Sequence, residues 1–179
     1  MHEIETTVLD IKKDAIEERM KELGAEETLR TRFVVDWFHP IGTKEGEDLW
    51  FLRIRTTSDG RSTITWKGKS TVEGGARSHR EINLSIGNSA EFGEFFEVIG
   101  LERYAHQEKD RISWRYKDWA FDLDEYPGMP PYIEVEGTSA EHVQEGIRLL
   151  GLEGNRTSTV GERILIQKEY GLDWYNMRF

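Results

Sequence analysis

Two acidic residues near the start of the chain are spaced for joint chemistry. Glu3 and Glu5 alternate in the segment Glu3-Ile4-Glu5-Thr6-Thr7-Val8, which is typical of a β-strand. Because alternate side chains of a strand share a face, the two carboxylates would repel each other in one space. A divalent cation, Mg²⁺ or Mn²⁺, prefers oxygen ligands and would compensate that repulsion. Taken alone, this segment favours the alternative of an edge strand that shows its charges to water.

The same spacing of charged residues recurs in later predicted strands. Acidic pairs occur at Asp122/Asp124 and Glu134/Glu136, and basic pairs at Arg53/Arg55, Lys67/Lys69 and Lys109/Arg111. Strands with charges on one face and apolar residues on the other can close into a barrel with a charged interior. A metal on the carboxylates and a polyanion on the basic groups would neutralise such an interior. An ordinary sheet with solvent-facing salt bridges remains the open alternative.

Short strands and four helices must position these side chains. Strands are predicted at residues 1–9, 30–38, 49–57, 62–69, 77–86, 103–116, 118–126 and 131–137. Helices are predicted from an Asp10 cap to Gly24, from an Asn88 cap to Gly100, from Thr138 to Gly151, and over 158–170. Most strands are joined as hairpins, so we expect about eight antiparallel strands with the helices packed outside. The predicted class is α+β, as a single domain over residues 1–179.

Composition narrows the classes of function. The chain has 179 residues, enough for one domain with its own core. Its formal net charge of −10 argues against a nucleic-acid partner, and the absence of cysteine excludes disulfides and thiolate catalysis. No apolar run approaches the ~20 residues of a membrane span, and the N-terminus lacks a signal peptide's apolar region. We therefore expect a cytoplasmic protein without a membrane partner.

The strands around the two Glu-x-Glu segments suggest a repeat. Glu3-Ile4-Glu5 precedes a predicted helix that ends at Leu23-Gly24, and Glu134-Val135-Glu136 precedes one that ends at Leu150-Gly151. Two units are too few to establish a common origin. They do predict two similar strands that face one cavity.

Eight short motifs follow one another along the whole chain. They are Glu3-x-Glu5, Asp36-Trp37-Phe38, Leu52-Arg53-Ile54-Arg55, Thr65-Trp66-Lys67-Gly68, Arg80-Glu81-Ile82-Asn83, Lys109-Asp110-Arg111, Phe121-Asp122-Leu123-Asp124 and Tyr132-Ile133-Glu134-Val135-Glu136. Their order resembles that of the CYTH superfamily, the triphosphate tunnel metalloenzymes, which include class IV adenylyl cyclases, thiamine triphosphatases and inorganic triphosphatases. The resemblance implies an eight-stranded antiparallel β-barrel whose tunnel holds a triphosphate and Mg²⁺ or Mn²⁺.

The resemblance also implies roles for individual residues. The implied metal ligands are Glu3, Glu5, Asp122, Glu134 and Glu136. The implied substrate-binding residues are Arg53, Arg55, Lys67, Lys109, Arg111 and Arg156. The implied catalytic residues are Glu3, Glu5, Glu81, Lys109 and Arg111. In the family, a basic residue near the C-terminus usually completes the phosphate site. Arg156 takes that place in the set above, and Arg163 and Lys168 are further candidates.

Two positions depart from the family pattern. Thr7 stands where the family opening, Glu-x-Glu-x-Lys, has a lysine, and Asn83 stands where a second glutamate is common. The first change removes one cation from the expected tunnel. It therefore leaves open a non-catalytic module that binds a polyphosphate or nucleotide.

The motif set does not separate two reactions on a triphosphate. Hydrolysis needs a water aimed at the terminal phosphorus, and cyclisation of ATP to cyclic AMP and pyrophosphate needs a placed ribose hydroxyl. Hydrolysis is expected first because it requires only a tunnel and a water. The expected partner is a small triphosphate, namely ATP, thiamine triphosphate or tripolyphosphate, and a homodimer is left open.

Overall fold

A closed antiparallel β-barrel forms the centre of the computed structural model, which describes residues 2–44 and 50–179. In chain order the elements are β1 (His2–Val8), α1 (Lys13–Leu23), β2 (Glu26–Pro40), β3 (Phe51–Thr57), β4 (Ser62–Lys67), β5 (Thr71–Glu73), β6 (Ala76–Ile86), α2 (Ser89–Val98), β7 (Leu101–Tyr116), β8 (Trp119–Glu125), β9 (Tyr132–Gly137), α3 (Ala140–Leu149), β10 (Thr157–Ser158), α4 (Glu162–Ile164) and β11 (Asn176–Met177). Eight strands pair in the order β1-β9-β8-β7-β2-β3-β4-β6, and β6 pairs back with β1. The predicted α+β class and eight-stranded barrel are confirmed.

Alternation along the strands gives the barrel a charged inner face and an apolar outer face. In β7, Lys109 and Arg111 line the interior, whereas Ile112 and Trp114 pack outside beneath helices α1 and α3. Burial of that outer layer stabilises the fold, since each fully buried large apolar side chain contributes about 1.5–3 kcal/mol. On another side, α2 places Phe96 against Phe38 of β2, with ring centroids 5.1 Å apart.

The C-terminal segment packs against the barrel. After α4 the chain forms a π-helical turn, Leu165–Glu169, and then brings Trp174 to a ring-centroid distance of 5.1 Å from Trp37. The Trp174 side chain is buried, and β11 pairs with β7 in parallel. The C-terminal segment therefore contributes to the core beside the barrel.

Several predicted boundaries differ from the structure. Asp10 does not cap α1, because it has a left-handed backbone (φ 57°) and the helix begins at Lys13. The cap of α3 is Ser139 rather than Thr138, and its hydroxyl accepts the backbone N–H of His142 at 3.1 Å. Residues 158–160 precede the last helix instead of belonging to it. The predicted strand start at residue 49 lies outside the described residues.

One further expectation from the sequence concerned membrane-spanning segments. Among the described residues, no helix combines the length and apolar character needed to cross a membrane.

Candidate functional site

A cavity of about 320 Å³ lies inside the barrel. It is lined by eleven of the twelve site residues expected from the sequence: Glu3, Glu5, Arg53, Arg55, Lys67, Glu81, Lys109, Arg111, Asp122, Glu134 and Glu136. These residues come from seven strands, and they face one space because each occupies the inward position of its strand. Lys69 is the exception among the charged pairs, because it lies beyond the end of β4 and is exposed. The other pairs are not the solvent-facing side of an open sheet.

Arg156 is the expected residue that does not line this cavity. Its side chain is half exposed, and its guanidinium pairs with Glu169 and, at 3.2 Å, with Asp10. The structure therefore does not bring Arg156 together with the other expected site residues. Arg163, the second C-terminal candidate, does line the cavity, whereas Lys168 does not.

Strands β1 and β9 form an acidic wall. Their register places Glu5 opposite Glu136 and Thr7 opposite Glu134, so the two Glu-x-Glu segments are neighbours, as their similarity predicted. Burial and the nearby Glu5 carboxylate raise the pKa of Glu134 to about 7. Burial and the nearby Glu3 carboxylate raise the pKa of Glu136 to about 7. On the same wall Lys67 and Arg77 outweigh burial and lower the pKa of Glu5 to about 2, so among these three only Glu134 and Glu136 hold a proton more readily than ordinary carboxylates.

The acidic wall has the donor chemistry of a divalent cation site. Glu3, Glu5 and His79 each offer a ligand atom, and these three atoms lie within 4.8 Å of one another. Carboxylate oxygens are the preferred ligands of Mg²⁺ and Mn²⁺. The residues present thus fit a bound Mg²⁺ or Mn²⁺, with Glu134 and Glu136 close by on the next strand.

Arg77 is a site residue that the motifs did not identify. It lies opposite Glu5 in the β1–β6 register, and its Nη2 donates to Glu5 Oε1 at 2.5 Å. The same nitrogen is 4.0 Å from Glu134 Oε1, and Arg77 Nη1 donates to the carbonyl of Val160 at 2.9 Å. Arg77 thus adds a cation to the wall on which Thr7 replaces the family lysine. Its alternation with His79 and Glu81 on one strand face was a usable sequence signal.

A group of six side chains, which we call the paired cluster, occupies one side of the cavity. It comprises Lys109, Arg111, Asp122, Asp124, Glu134 and Glu162. Lys109 Nζ donates to Asp124 Oδ2 at 2.8 Å and to Glu162 Oε2 at 3.1 Å. Arg111 donates to Asp124 Oδ1 at 2.5 Å, to Glu134 Oε2 at 2.9 Å, and also to Asp122. Both cations are therefore compensated by the protein itself.

Asp124 and Glu162 complete the paired cluster and were not expected as site residues. Burial alone would raise the pKa of Asp124, but Arg111 and Lys109 outweigh that effect and lower it. Burial acts in the same direction on Glu162, where Lys109, Arg53 and the Tyr126 hydroxyl lower the pKa to about 2. Glu162 begins the short helix α4, and nothing in the sequence around it indicated a contact with Lys109 on β7.

Arg53 and Arg55, which we call the open pair, differ from the paired cluster. Neither forms an ion pair with any residue that the structure describes, and the Nε atoms of both are buried without a hydrogen-bond partner. Their guanidinium groups lie over aromatic rings, Arg53 over Trp37 and Arg55 over Phe33, each at 5.2 Å. Burial, together with the charges of Arg53 and Arg111, lowers the pKa of Arg55 to about 9. The open pair is thus positive charge that an anion can neutralise.

The Lys67 ammonium group links Glu3 of the acidic wall to Glu81 on β6. Lys67 Nζ lies 3.1 Å from Glu3 Oε2 and 2.8 Å from Glu81 Oε2. Asn83 Nδ2 donates to Glu81 Oε1 at 2.5 Å, so the departure at Asn83 keeps a polar contact at that position. A second cavity of about 240 Å³ shares Arg55, Arg111 and Asp122 with the first. These side chains therefore divide the interior of the barrel into two chambers.

Comparison with known proteins agrees with this architecture. A model of the CYTH domain matches residues 1–159. A conserved hypothetical protein from Pyrococcus furiosus has a TM-score of 0.74 at 18% identity, with 89% of this chain and 97% of that chain covered. A proposed adenylate cyclase from Vibrio parahaemolyticus has a TM-score of 0.80 at 13% identity, with 93% and 98% covered.

A third similar structure carries a described activity. A proposed adenylyl cyclase from Hippeastrum, described as having a dominant triphosphatase activity, has a TM-score of 0.69 at 18% identity, with 93% of this chain and 96% of that chain covered. No functionally curated protein matches this sequence. At these identities the similarities between structures establish the fold alone.

Proposed function

The chain belongs to the CYTH domain family, and we propose that it hydrolyses an organic or inorganic triphosphate inside its barrel with Mg²⁺ or Mn²⁺. The observation that carries this proposal is the open pair, Arg53 and Arg55, which faces the cavity without an ion-pair partner among the described residues. The carboxylates that act on Arg53 from a greater distance, Glu162 and Glu81, are already paired with Lys109 and Lys67. A site that keeps two buried cations without an ion pair of their own is suited to an anionic ligand. Arginine in particular binds phosphate oxygens through paired N–H donors.

The opposite wall supplies the second requirement of a triphosphate site. Glu3, Glu5, Glu134 and Glu136 would hold the cation, with Asp122 beside Glu134 in the β8–β9 register. When bound, the cation neutralises charge on the phosphate oxygens and lowers the pKa of a water molecule. Without an added cation, these carboxylates would repel a polyanion. Metal dependence is thus a direct consequence of the arrangement.

The remaining charged groups position the substrate. Lys109 and Arg111 are held by Asp124 and face the cavity, so they would meet the developing charge on the transferred phosphoryl group without first reorganising. Glu81 and Glu3 hold the Lys67 ammonium group between them. In hydrolysis, water attacks the terminal phosphorus as its bond to the bridging oxygen breaks, and the proton of the water passes to a carboxylate or to solvent.

Cyclisation of ATP is the second candidate function. Trp37, Phe51 and Trp174 line the same cavity as the charged groups, so aromatic surface is available to a nucleobase. With a ribose hydroxyl as the nucleophile, the same cations and carboxylates would serve attack at the α-phosphorus, with pyrophosphate leaving. The non-catalytic alternative rests on Thr7, and the contact of Arg77 with Glu5 weakens it.

A product assay separates these functions. The protein is incubated with Mg²⁺ or Mn²⁺ and, separately, tripolyphosphate, thiamine triphosphate and ATP, and phosphate, pyrophosphate and cyclic AMP are quantified. We expect orthophosphate release that depends on the cation. Cyclic AMP with equal pyrophosphate would instead establish the cyclase. Binding of all three compounds without any product would refute both enzyme functions.

Two variants connect the assay to the proposed site. Glu134→Gln should abolish the metal-dependent activity while leaving the far-ultraviolet circular dichroism spectrum unchanged. The matched control is Glu153→Gln, which replaces an exposed glutamate that does not line the cavity. Full metal-dependent activity in Glu134→Gln would contradict the assignment of Glu134 as a ligand.

A further inference from the structure

His79 is a cavity residue whose place among the carboxylates has a consequence for the choice of cation. We propose that His79 is a nitrogen ligand of the bound cation and that the site therefore prefers a first-row transition ion such as Mn²⁺ to Mg²⁺. The inference rests on the proposed function only in taking the acidic wall as the cation site. It adds a ligand outside the Glu-x-Glu motifs and specifies the class of metal.

The pairing of β6 with β1 fixes the position of His79. The β1–β6 register places His79 directly opposite Glu3, and its Nε2 lies 2.9 Å from Glu3 Oε2. The imidazole is buried, and it lines the cavity together with Glu5. One atom from each of Glu3, Glu5 and His79 lies within 4.8 Å of the other two, which is the spacing of ligands around one ion.

The two carboxylates nearest to His79 are both contacted by Lys67 as well. The Oε2 atom of Glu3 already has the ammonium group of Lys67 at 3.1 Å, so His79 is not needed as its sole donor. The second nearby carboxylate, Glu81, lies 2.8 Å from Lys67 but 3.9 Å from the imidazole nitrogen. Lys67 therefore supplies the closer positive charge to Glu81, and a cation bound between Glu3 and His79 would replace their hydrogen bond.

The chemical class of the cation follows from the donor set. Mg²⁺ requires near-octahedral oxygen ligands and retains several waters, so it gains little from an imidazole. Divalent first-row transition ions accept nitrogen and oxygen ligands together, and the imidazole of histidine is their common ligand in proteins. A site with two carboxylates and one imidazole thus favours a transition ion over Mg²⁺.

Pulsed electron paramagnetic resonance tests the proposed bond directly. Mn²⁺ is added to the full-length protein without substrate, and the electron spin echo is recorded for modulation from a directly bound ¹⁴N nucleus. We expect this modulation in the wild type and in the control His106→Asn, because His106 contacts Asp36 and does not line the cavity. We expect none in His79→Asn. A wild-type spectrum without nitrogen coupling would overturn the proposal, even if no variant folded.

Cation affinity separates ligation from a structural role. Mn²⁺ binding is followed by the loss of the free-ion resonance, and Mg²⁺ binding by competition with Mn²⁺. His79→Asn should weaken Mn²⁺ binding on the order of tenfold or more, the scale seen when groups that support a metal ligand are lost. Mg²⁺ affinity should change much less. Equal losses for both ions would show that His79 only orients Glu3, and no loss would remove it from the site.

These measurements require no turnover. Nitrogen coupling without any triphosphate product would leave the metal ligand in place and refute the proposed function. Hydrolysis with Mg²⁺ but without nitrogen coupling would support the proposed function and refute the role of His79.

Discussion

The open pair and the two cations of the paired cluster are basic residues with the same spacing along their strands, but only the cations of the paired cluster form ion pairs. Arg53 and Arg55 alternate on β3, as Lys109 and Arg111 alternate on β7. The β7 cations donate to Asp122, Asp124, Glu134 and Glu162, whereas the β3 cations form no ion pair with any described residue. One pair is thus part of the architecture, and the other is available to a ligand.

Cross-strand neighbours explain the difference. Arg111 lies opposite Asp124 of β8, so a carboxylate reaches it directly. Arg53 lies opposite Trp37 on one side and Thr65 on the other, and neither neighbour carries a charge. The difference shows that a basic pair in this barrel stays without ion pairs where its neighbouring strands place no carboxylate opposite it, and this is why we propose the open pair as the anion site.

The largest expected change is a loss of stability when the ion pairs of the paired cluster are broken. Arg111→Met leaves Asp122, Asp124 and Glu134 without their shared cation, and removal of one partner from a buried ion pair costs about 3–5 kcal/mol. We expect a loss of that size in the free energy of unfolding, measured by urea denaturation. A loss below about 1 kcal/mol, the scale of exposed pairs, would show that the cluster is not structural.

A substitution in the open pair should lower the affinity for the ligand without lowering the stability of the protein. Arg53→Gln should lower the affinity for tripolyphosphate with Mg²⁺ by roughly 1.5–3 kcal/mol, the scale of hydrogen bonds to charged groups. The free energy of unfolding should stay the same or rise, because a buried unpaired charge is removed. Calorimetric titration and urea denaturation give the two quantities. Arg61→Gln, at an exposed turn, is the control, and lost stability with unchanged affinity in Arg53→Gln would reverse the comparison.

The pH dependence of stability tests the paired cluster through Glu162. Its pKa is lowered from 4.5 to about 2, so its contribution to stability is present above pH 4.5 and is lost as the pH falls toward 2. The slope from this one group should reach at most about 1.4 kcal/mol per pH unit. Glu162→Gln should unfold with a correspondingly smaller slope between pH 4.5 and 2 in thermal denaturation followed by circular dichroism. An unchanged slope would show that Glu162 is not held by Lys109.

The smallest effect is expected outside the barrel, at Arg32. Its guanidinium donates to Asp110 at 2.7 Å and lies 3.8 Å from the centroid of the Phe179 ring, but its side chain is 43% exposed. Arg32→Met should cost at most about 1 kcal/mol of stability by urea denaturation and leave tripolyphosphate binding unchanged. A cost near that of Arg111→Met would mean that burial does not separate the two kinds of pair.

Much of the barrel and its lining followed from local patterns. Alternating charge on β1, β3, β7, β8 and β9 predicted one charged face, and eleven expected residues do line the cavity. The helix from Asn88 was predicted from its cap, whose side chain accepts the N–H groups of Ala90 and Glu91. The helix cap predicted at Asp10 from local sequence is wrong. Asp10 has a left-handed backbone, and its carbonyl accepts a hydrogen bond from Asn155 of the C-terminal segment at 3.0 Å.

The tertiary structure decided which charges meet. The sequence determined that Glu3 shares a face with Glu5, Arg53 with Arg55, and Lys109 with Arg111, because side chains alternate within any strand. It did not determine that Glu5 meets Arg77, that Lys109 meets Glu162, or that Arg53 has no carboxylate opposite it on β2 or β4, since these depend on strand order and register around the closed barrel. The shared faces were local properties of the strands. The division into structural ion pairs and open cations arose only when distant strands became neighbours.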